Sequence, residues 1–158
     1  PSWPNYIEIS DTAESPVIDV GDLDNDGDVD IVVLNNYNSN RWFYWFENLG
    51  NFNFSSHKIK DNPEGGRFKI KDIDGDQKLD IIKVTSTNVI YYKNVGSGNF
   101  VDNVIYNSSS NNNVSSTIEY IEFGDINGDG YDDIINLGYC LPSSSCFFFA
   151  NFDTLASG

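Results

Sequence analysis

Short apolar runs, rich in β-branched and aromatic residues, punctuate this chain, and each is cut off by an acidic loop or a Gly/Asn turn. The runs Val17 to Val20, Phe68 to Ile70 and Ile118 to Phe123 each lead into an acidic loop, and Ile31 to Leu34, Ile81 to Val84 and Ile134 to Leu137 each leave one. Runs of this length and composition predict strands. A third strand follows each pair, at Trp42 to Glu47, Val89 to Lys93 and Cys146 to Ala150. Two of these end in Asn48-Leu49-Gly50-Asn51-Phe52 and Asn94-Val95-Gly96-Ser97-Gly98-Asn99-Phe100, where Gly and Asn supply the positive φ angles of a tight turn. Fourth strands then begin at His57 to Lys60 and Val104 to Tyr106. Helical spacing of apolar residues is absent throughout, so the expected class is all-β with antiparallel strands.

The acidic loops repeat. Aligned on their first aspartates, Val20 to Ile31, Ile70 to Ile81 and Phe123 to Ile134 share one pattern, with Asp22, Asp72 and Asp125 starting the loops. A period of roughly 40 to 50 residues is that of one four-stranded propeller blade. The chain therefore reads as a single β domain over 1–158 with three propeller-like blades, over about 11–60, 61–106 and 107–152. Asn35 to Asn40, Asp61 to Gly66 and the Asn/Ser-rich Asn107 to Ser116 read as surface linkers. Closed propellers typically use about 4 to 8 blades, so three form an open array. The third repeat lacks an outer strand, whereas residues 1–10 carry a leftover one, Tyr6-Ile7-Glu8-Ile9. Strand exchange of this segment into the third repeat of a neighbouring subunit is expected to yield a ring or a helical filament. A fragment of a longer propeller is the competing reading.

Within D-x-D-x-D-G-x-x-D, side-chain oxygens at positions 1, 3, 5 and 9 and the carbonyl of position 7 converge. Carboxylates this close repel one another unless a hard cation sits between them, and Ca²⁺ takes six to eight such oxygens. Loop one offers Asp22, Asp24, Asp26, the Asp28 carbonyl and Asp30; loop two offers Asp72, Asp74, Asp76, the Lys78 carbonyl and Asp80. Loop three offers Asp125, Asn127, Asp129, the Tyr131 carbonyl and Asp133, so up to three Ca²⁺ are expected, the alternative being solvated acidic turns without metal. An EF-hand would need Glu at position 12, where Val33, Lys83 and Asn136 stand instead. A dockerin would need helices after its loops, which the β-branched runs exclude. Gln77 replaces the turn glycine of loop two, so that site is expected to be the weakest.

Composition narrows the partners. Of 158 residues, 24 are acidic and 9 basic, a net charge of −15, yet 39% are hydrophobic, so this is a folded acidic protein rather than a disordered tail. Such a field repels nucleic acid and anionic membranes. No apolar run approaches the roughly 20 residues of a membrane span. Methionine is absent, including at position 1, which suggests a processed chain. Cys140 and Cys146 are placed to close a disulfide across a Pro/Ser turn, with an extracellular or periplasmic address, or else to remain two separate thiols. Asn53, Asn107 and Asn113 begin Asn-x-Ser sequons, which matter only if the source glycosylates.

Strand, Gly-Asp-x-Asp/Asn-x-Asp-Gly loop, strand and Asn-x-Gly-x-Gly-x-Phe turn together resemble the FG-GAP or VCBS repeat family of integrin α-subunit propellers, fungal lectins and secreted bacterial proteins. The resemblance implies that Ca²⁺ reinforces the turn between the first two strands of each blade; function in the family varies from adhesion to sugar binding to accessory parts of enzymes. Catalysis has little support in the residues, since the sole His57 has no identifiable Ser or Cys partner and Glu47, Glu64, Glu119 and Glu122 are scattered. The expected function is a secreted, non-catalytic, calcium-binding structural or adhesive protein that self-assembles outside the cell. Its partners would be itself, and glycans or cell-surface proteins. The alternative is a lectin-like module stacking sugars on the rings of Trp42 to Phe46, which otherwise serve core or subunit packing, or a piece of a larger adhesin.

Overall fold

The computed structural model describes residues 16–36, 41–107, 116–128, 130, 132–140 and 144–150, with side chains left undescribed at 116–119, 136–140 and 144–150. Every regular element among them is a strand: β1 Pro16–Gly21, β2 Asp30–Asn35, β3 Trp42–Asn48, β4 Phe54–Asp61, β5 Arg67–Lys71, β6 Asp80–Val84, β7 Asn88–Gly96, β8 Asn99–Asn107, β9 Ser116–Gly124, β10 Asp133–Cys140 and β11 Ser144–Ala150. They form three antiparallel meanders, ordered β1-β2-β3-β4, β5-β6-β7-β8 and β9-β10-β11. The class expected from the apolar runs is thus observed. Asn35 differs from its expected linker role: it closes β2 and is fully buried.

The sheets stack face to face, the second between the other two. Because neighbouring residues of a strand point to opposite faces, Ile81 and Ile82 serve two different cores. Ile81, Phe68 and Tyr92 pack on Leu23, Val32, Leu34, Phe43 and Trp45 of the first repeat. Ile82, Val84, Val89 and Tyr91 pack on Ile121 and Ile134 of the third, and Ile73 joins that cluster from loop two. Phe43 sits at the centre of the first interface, its ring centroid 5.1 Å from that of Phe68 and 5.7 Å from that of Tyr92.

Polar contacts set how the sheets meet. Across the first interface the Asp19 carboxylate accepts the Ile70 N–H at 2.9 Å, and the Asn36 side chain both donates to and accepts from Gly66 at 3.0 Å. Across the second, Lys71 pairs with Asp132, Lys69 lies 3.9 Å from Glu122, and the Arg67 guanidinium covers the Tyr120 ring. One buried cation is exceptional. Lys83 is fully buried, donates to the Glu64 carbonyl at 2.6 Å, and is pushed down by burial to a pKa of about 8.

The expected strand at Tyr6 to Ile9 and the sequon at Asn113 fall outside the described residues. So do the cysteine side chains, although the backbone register sets Cys146 opposite Gly138 and Cys140 opposite Ser144. Asn53 and Asn107 are exposed.

Candidate metal centres

Each acidic loop is a tight link between the first two strands of its sheet, and its own carboxylates fold it. In loop one the Asp22 carboxylate accepts the N–H groups of Asp26 and Gly27 at 3.1 and 3.0 Å. Asp72 accepts those of Gly75 and Gln77, both at 2.9 Å, and Asp125 those of Gly128 and Gly130 at 2.6 and 2.9 Å. Holding these N–H groups inward requires left-handed backbone at positions 4 and 6. There the φ angles are +63° at Asn25 and +97° at Gly27, +75° at Gly75 and +67° at Gln77, and +80° at Gly128 and +90° at Gly130. The strain expected at Gln77 is therefore present, and Asn25 carries the same conformation in loop one, where an Asn tolerates it better.

The last aspartate of each loop is a buried pivot. Asp30 accepts the Leu23 N–H at 2.9 Å and the Asn48 N–H at 2.8 Å; Asp80 accepts those of Ile73 at 3.2 Å and Asn94 at 2.8 Å, and the Tyr91 hydroxyl at 2.9 Å. Asp133 likewise takes the Ile126 N–H at 2.9 Å. Burial lifts the carboxyls of Asp30 and Asp80 above the usual range, although their backbone hydrogen bonds oppose it. Burial, reinforced by the charges of Asp26, Glu47 and Asp22, lifts Asp24 as well. A cation would relieve that cost.

Side-chain oxygens of Asp22, Asp24 and Asp30 lie within 4.8 Å of one another, as do those of Asp72, Asp74 and Asp80. Such all-oxygen sets suit a hard divalent ion. Asp26 and Asp76 stand beside these trios, accepting the N–H groups of Asp28 and Lys78 at 2.8 and 3.0 Å. In loop three, Asp125, Asn127 and Asp133 are described, while Asp129 and Tyr131 lie outside the described residues.

Sequence spacing missed the residues that brace the loops from the third strand. Asn48 and Asn94 clamp the pivot aspartates through their backbone N–H groups, and the Asn94 side chain also donates to the carbonyls of Leu23 and Leu79 at 2.7 and 3.1 Å, tying loop one to loop two. Their signal in the sequence is an Asn recurring two residues before a turn glycine, which turn chemistry alone also explains. Next to these asparagines stand Glu47 and Lys93, whose opposite charges set the two loops apart. His57, the sole histidine, bonds Glu47 at 2.6 Å and stacks on Trp45.

The sequence matches the FG-GAP-like repeat over residues 22–82 and again over residues 72–135. Those two spans take in most of the chain, which belongs to the FG-GAP repeat family. No curated protein and no solved structure matches it.

Proposed function

We propose that this chain is a calcium-braced, non-catalytic structural or adhesive module of the extracellular space, whose sheets act as propeller-like blades and whose copies add end to end. Family membership supports the adhesive or structural class, and the all-oxygen carboxylate trios support calcium. No helix among the described residues could cross a membrane.

Ile126 carries the self-association. Its counterparts Leu23 and Ile73 are 1% and 6% exposed because the next sheet covers them, whereas Ile126 is 55% exposed. At the opposite end of the stack, Ile18 is 58% exposed in the place where Phe68 and Ile121 are buried against a preceding sheet, and Val20 is 55% exposed where Ile70 and Phe123 are partly buried. Each end thus presents half of an interface that the chain makes twice internally, and the occupant that supplies the other half is a second copy. Its Ile126 carbonyl would meet Asn48 as the Leu23 carbonyl meets Asn94. The strand expected at Tyr6 to Ile9 would add to the three-stranded third sheet. A head-to-tail contact of this kind gives a closed ring or a filament according to its rotation.

Sedimentation and electron microscopy of the chain in millimolar calcium test the reading. A ring or filament is expected, reduced to single chains by Ile126→Asp or Ile18→Asp and loosened by chelation. A wild-type monomer, or an assembly indifferent to both substitutions, overturns it. A monomer that binds glycans through the Trp42–Tyr44 edge pair on the same open face would make the module a lectin instead.

A further inference from the structure

Loops one and two are alike in backbone and in their carboxylate trios, but the third strand delivers opposite charges to them. The register that sets Ile31 opposite Phe46 and Ile81 opposite Tyr92 makes Glu47 and Lys93 equivalent. Around loop one, Asp22, Asp24, Asp26, Asp28 and Asp30 gather with Glu47, and the segment 22–30 contains no lysine. Around loop two, the Lys93 ammonium pairs with Asp74 and lies 3.7 Å from Asp76, while the Lys78 ammonium lies 2.8 Å from Asp76. The Asp74 side chain is 6% exposed and that of Lys93 41%, so the pair is only partly sheltered from the screening that weakens surface ion pairs.

We infer that loop two carries its own counter-ion: Lys93, helped by Lys78, offsets two of the four carboxylate charges that would otherwise call for a metal. Loop one, with no internal cation and with Glu47 adding to its charge, is the loop that demands calcium. A divalent ion entering loop two must displace an ammonium from Asp74 and meet its repulsion, and Gln77 in left-handed backbone leaves that turn little freedom to adapt. Two repeats of one motif therefore reach the same folded loop by different means, one by binding an ion and the other by supplying one covalently. The division of labour also keeps the second interface, which loop two borders through Ile73, intact when calcium is scarce.

This inference rests on the calcium reading above, and one experiment separates the two. Backbone amide resonances of Gly27 and Gly75, at the heart of loops one and two, are followed in the full chain during titration with calcium chloride. Gly27 is expected to move first, and Gly75 only at concentrations at least about tenfold higher, a ratio corresponding to ~1.4 kcal/mol. Lys93→Gln should draw the Gly75 midpoint toward that of Gly27, and Glu47→Lys should push the Gly27 midpoint up. Equal midpoints in the wild-type chain, or a Gly75 midpoint unmoved by Lys93→Gln, overturn the counter-ion role while leaving calcium binding in place. A Gly27 amide that ignores calcium overturns the calcium reading and this inference together.

Discussion

Leu23, Ile73 and Ile126 occupy one position in three copies of one loop, yet the first two are core residues and the third stands in the open. The turn after the third strand repeats the contrast. Gly98 lies against the Trp45 ring of the preceding sheet, so closely that an added Cβ would overlap it, whereas Phe52, its counterpart in the first sheet, is 69% exposed. Burial at these two positions is thus set by the neighbouring sheet, although Val33, Phe46 and Asn35 are buried on the outer face of the first sheet as well. The same residue type stabilises the chain where a sheet follows it and leaves apolar surface in water where none does.

Truncation should break that comparison most sharply. Leu23→Ala is expected to cost about 2 to 5 kcal/mol, the range for emptying a packed core site. Ile126→Ala in the single-chain form should cost no more than about 0.5 kcal/mol, as expected of an exposed position. Urea unfolding in saturating calcium reads both, and equal losses would mean that Ile126 is covered within the monomer.

A smaller effect is expected at Lys83, which sits inside the first interface at the position that Val33, itself buried, holds on the outer face of the first sheet. Its pKa is lowered from 10.5 to about 8, which sets the cost of burying the charge at about 3 kcal/mol at neutral pH. Losing the hydrogen bond to Glu64 offsets about 1 kcal/mol of that, so Lys83→Met should stabilise by about 2 kcal/mol. Between pH 8 and 10.5 the unfolded chain holds a proton that the folded chain has released, so wild-type stability rises with pH across this window and the advantage of the variant shrinks. Denaturant midpoints at pH 7 and pH 9.5 check the sign.

The smallest change concerns the open turn. Phe52 adopts a φ of +61°, a conformation costly for a bulky side chain, without packing to compensate. Phe52→Gly should raise the monomer's stability by about 1 kcal/mol, measured by thermal unfolding. If the assembled form loses stability by the same change, the ring is part of the interface between copies.

The strands and loops were legible because their signals are local. Alternation of apolar residues, β-branched runs and Gly/Asn turns placed the strands of the first two sheets to within about three residues, save β8, which begins five residues before the expected Val104, and nine-residue carboxylate spacing located Asp22 to Asp30 and Asp72 to Asp80. In the sequence Lys83 does no more than exclude an EF-hand, since nothing in the neighbouring residues says that a sheet will cover it. Asn48, Asn94 and Tyr91 escaped notice as braces because they act from a strand that follows the loop by more than ten residues.

What the sequence determined by itself is the all-β repeat and the acidic loops, since period-two patterning, turn chemistry and the mutual repulsion of close carboxylates all operate within a few residues of chain. Tertiary structure alone decided which faces are filled, because each core is shared between repeats some 50 residues apart, as Phe43 and Phe68 of the first interface or Leu23 and Asn94 across the loops illustrate. It also decided which charge reaches each loop. Glu47 and Lys93 are ordinary surface residues in the sequence, and only the pairing of the third strand with the second brings one beside Asp24 and the other onto Asp74, where Coulomb forces at short range distinguish two loops that spacing alone makes equal.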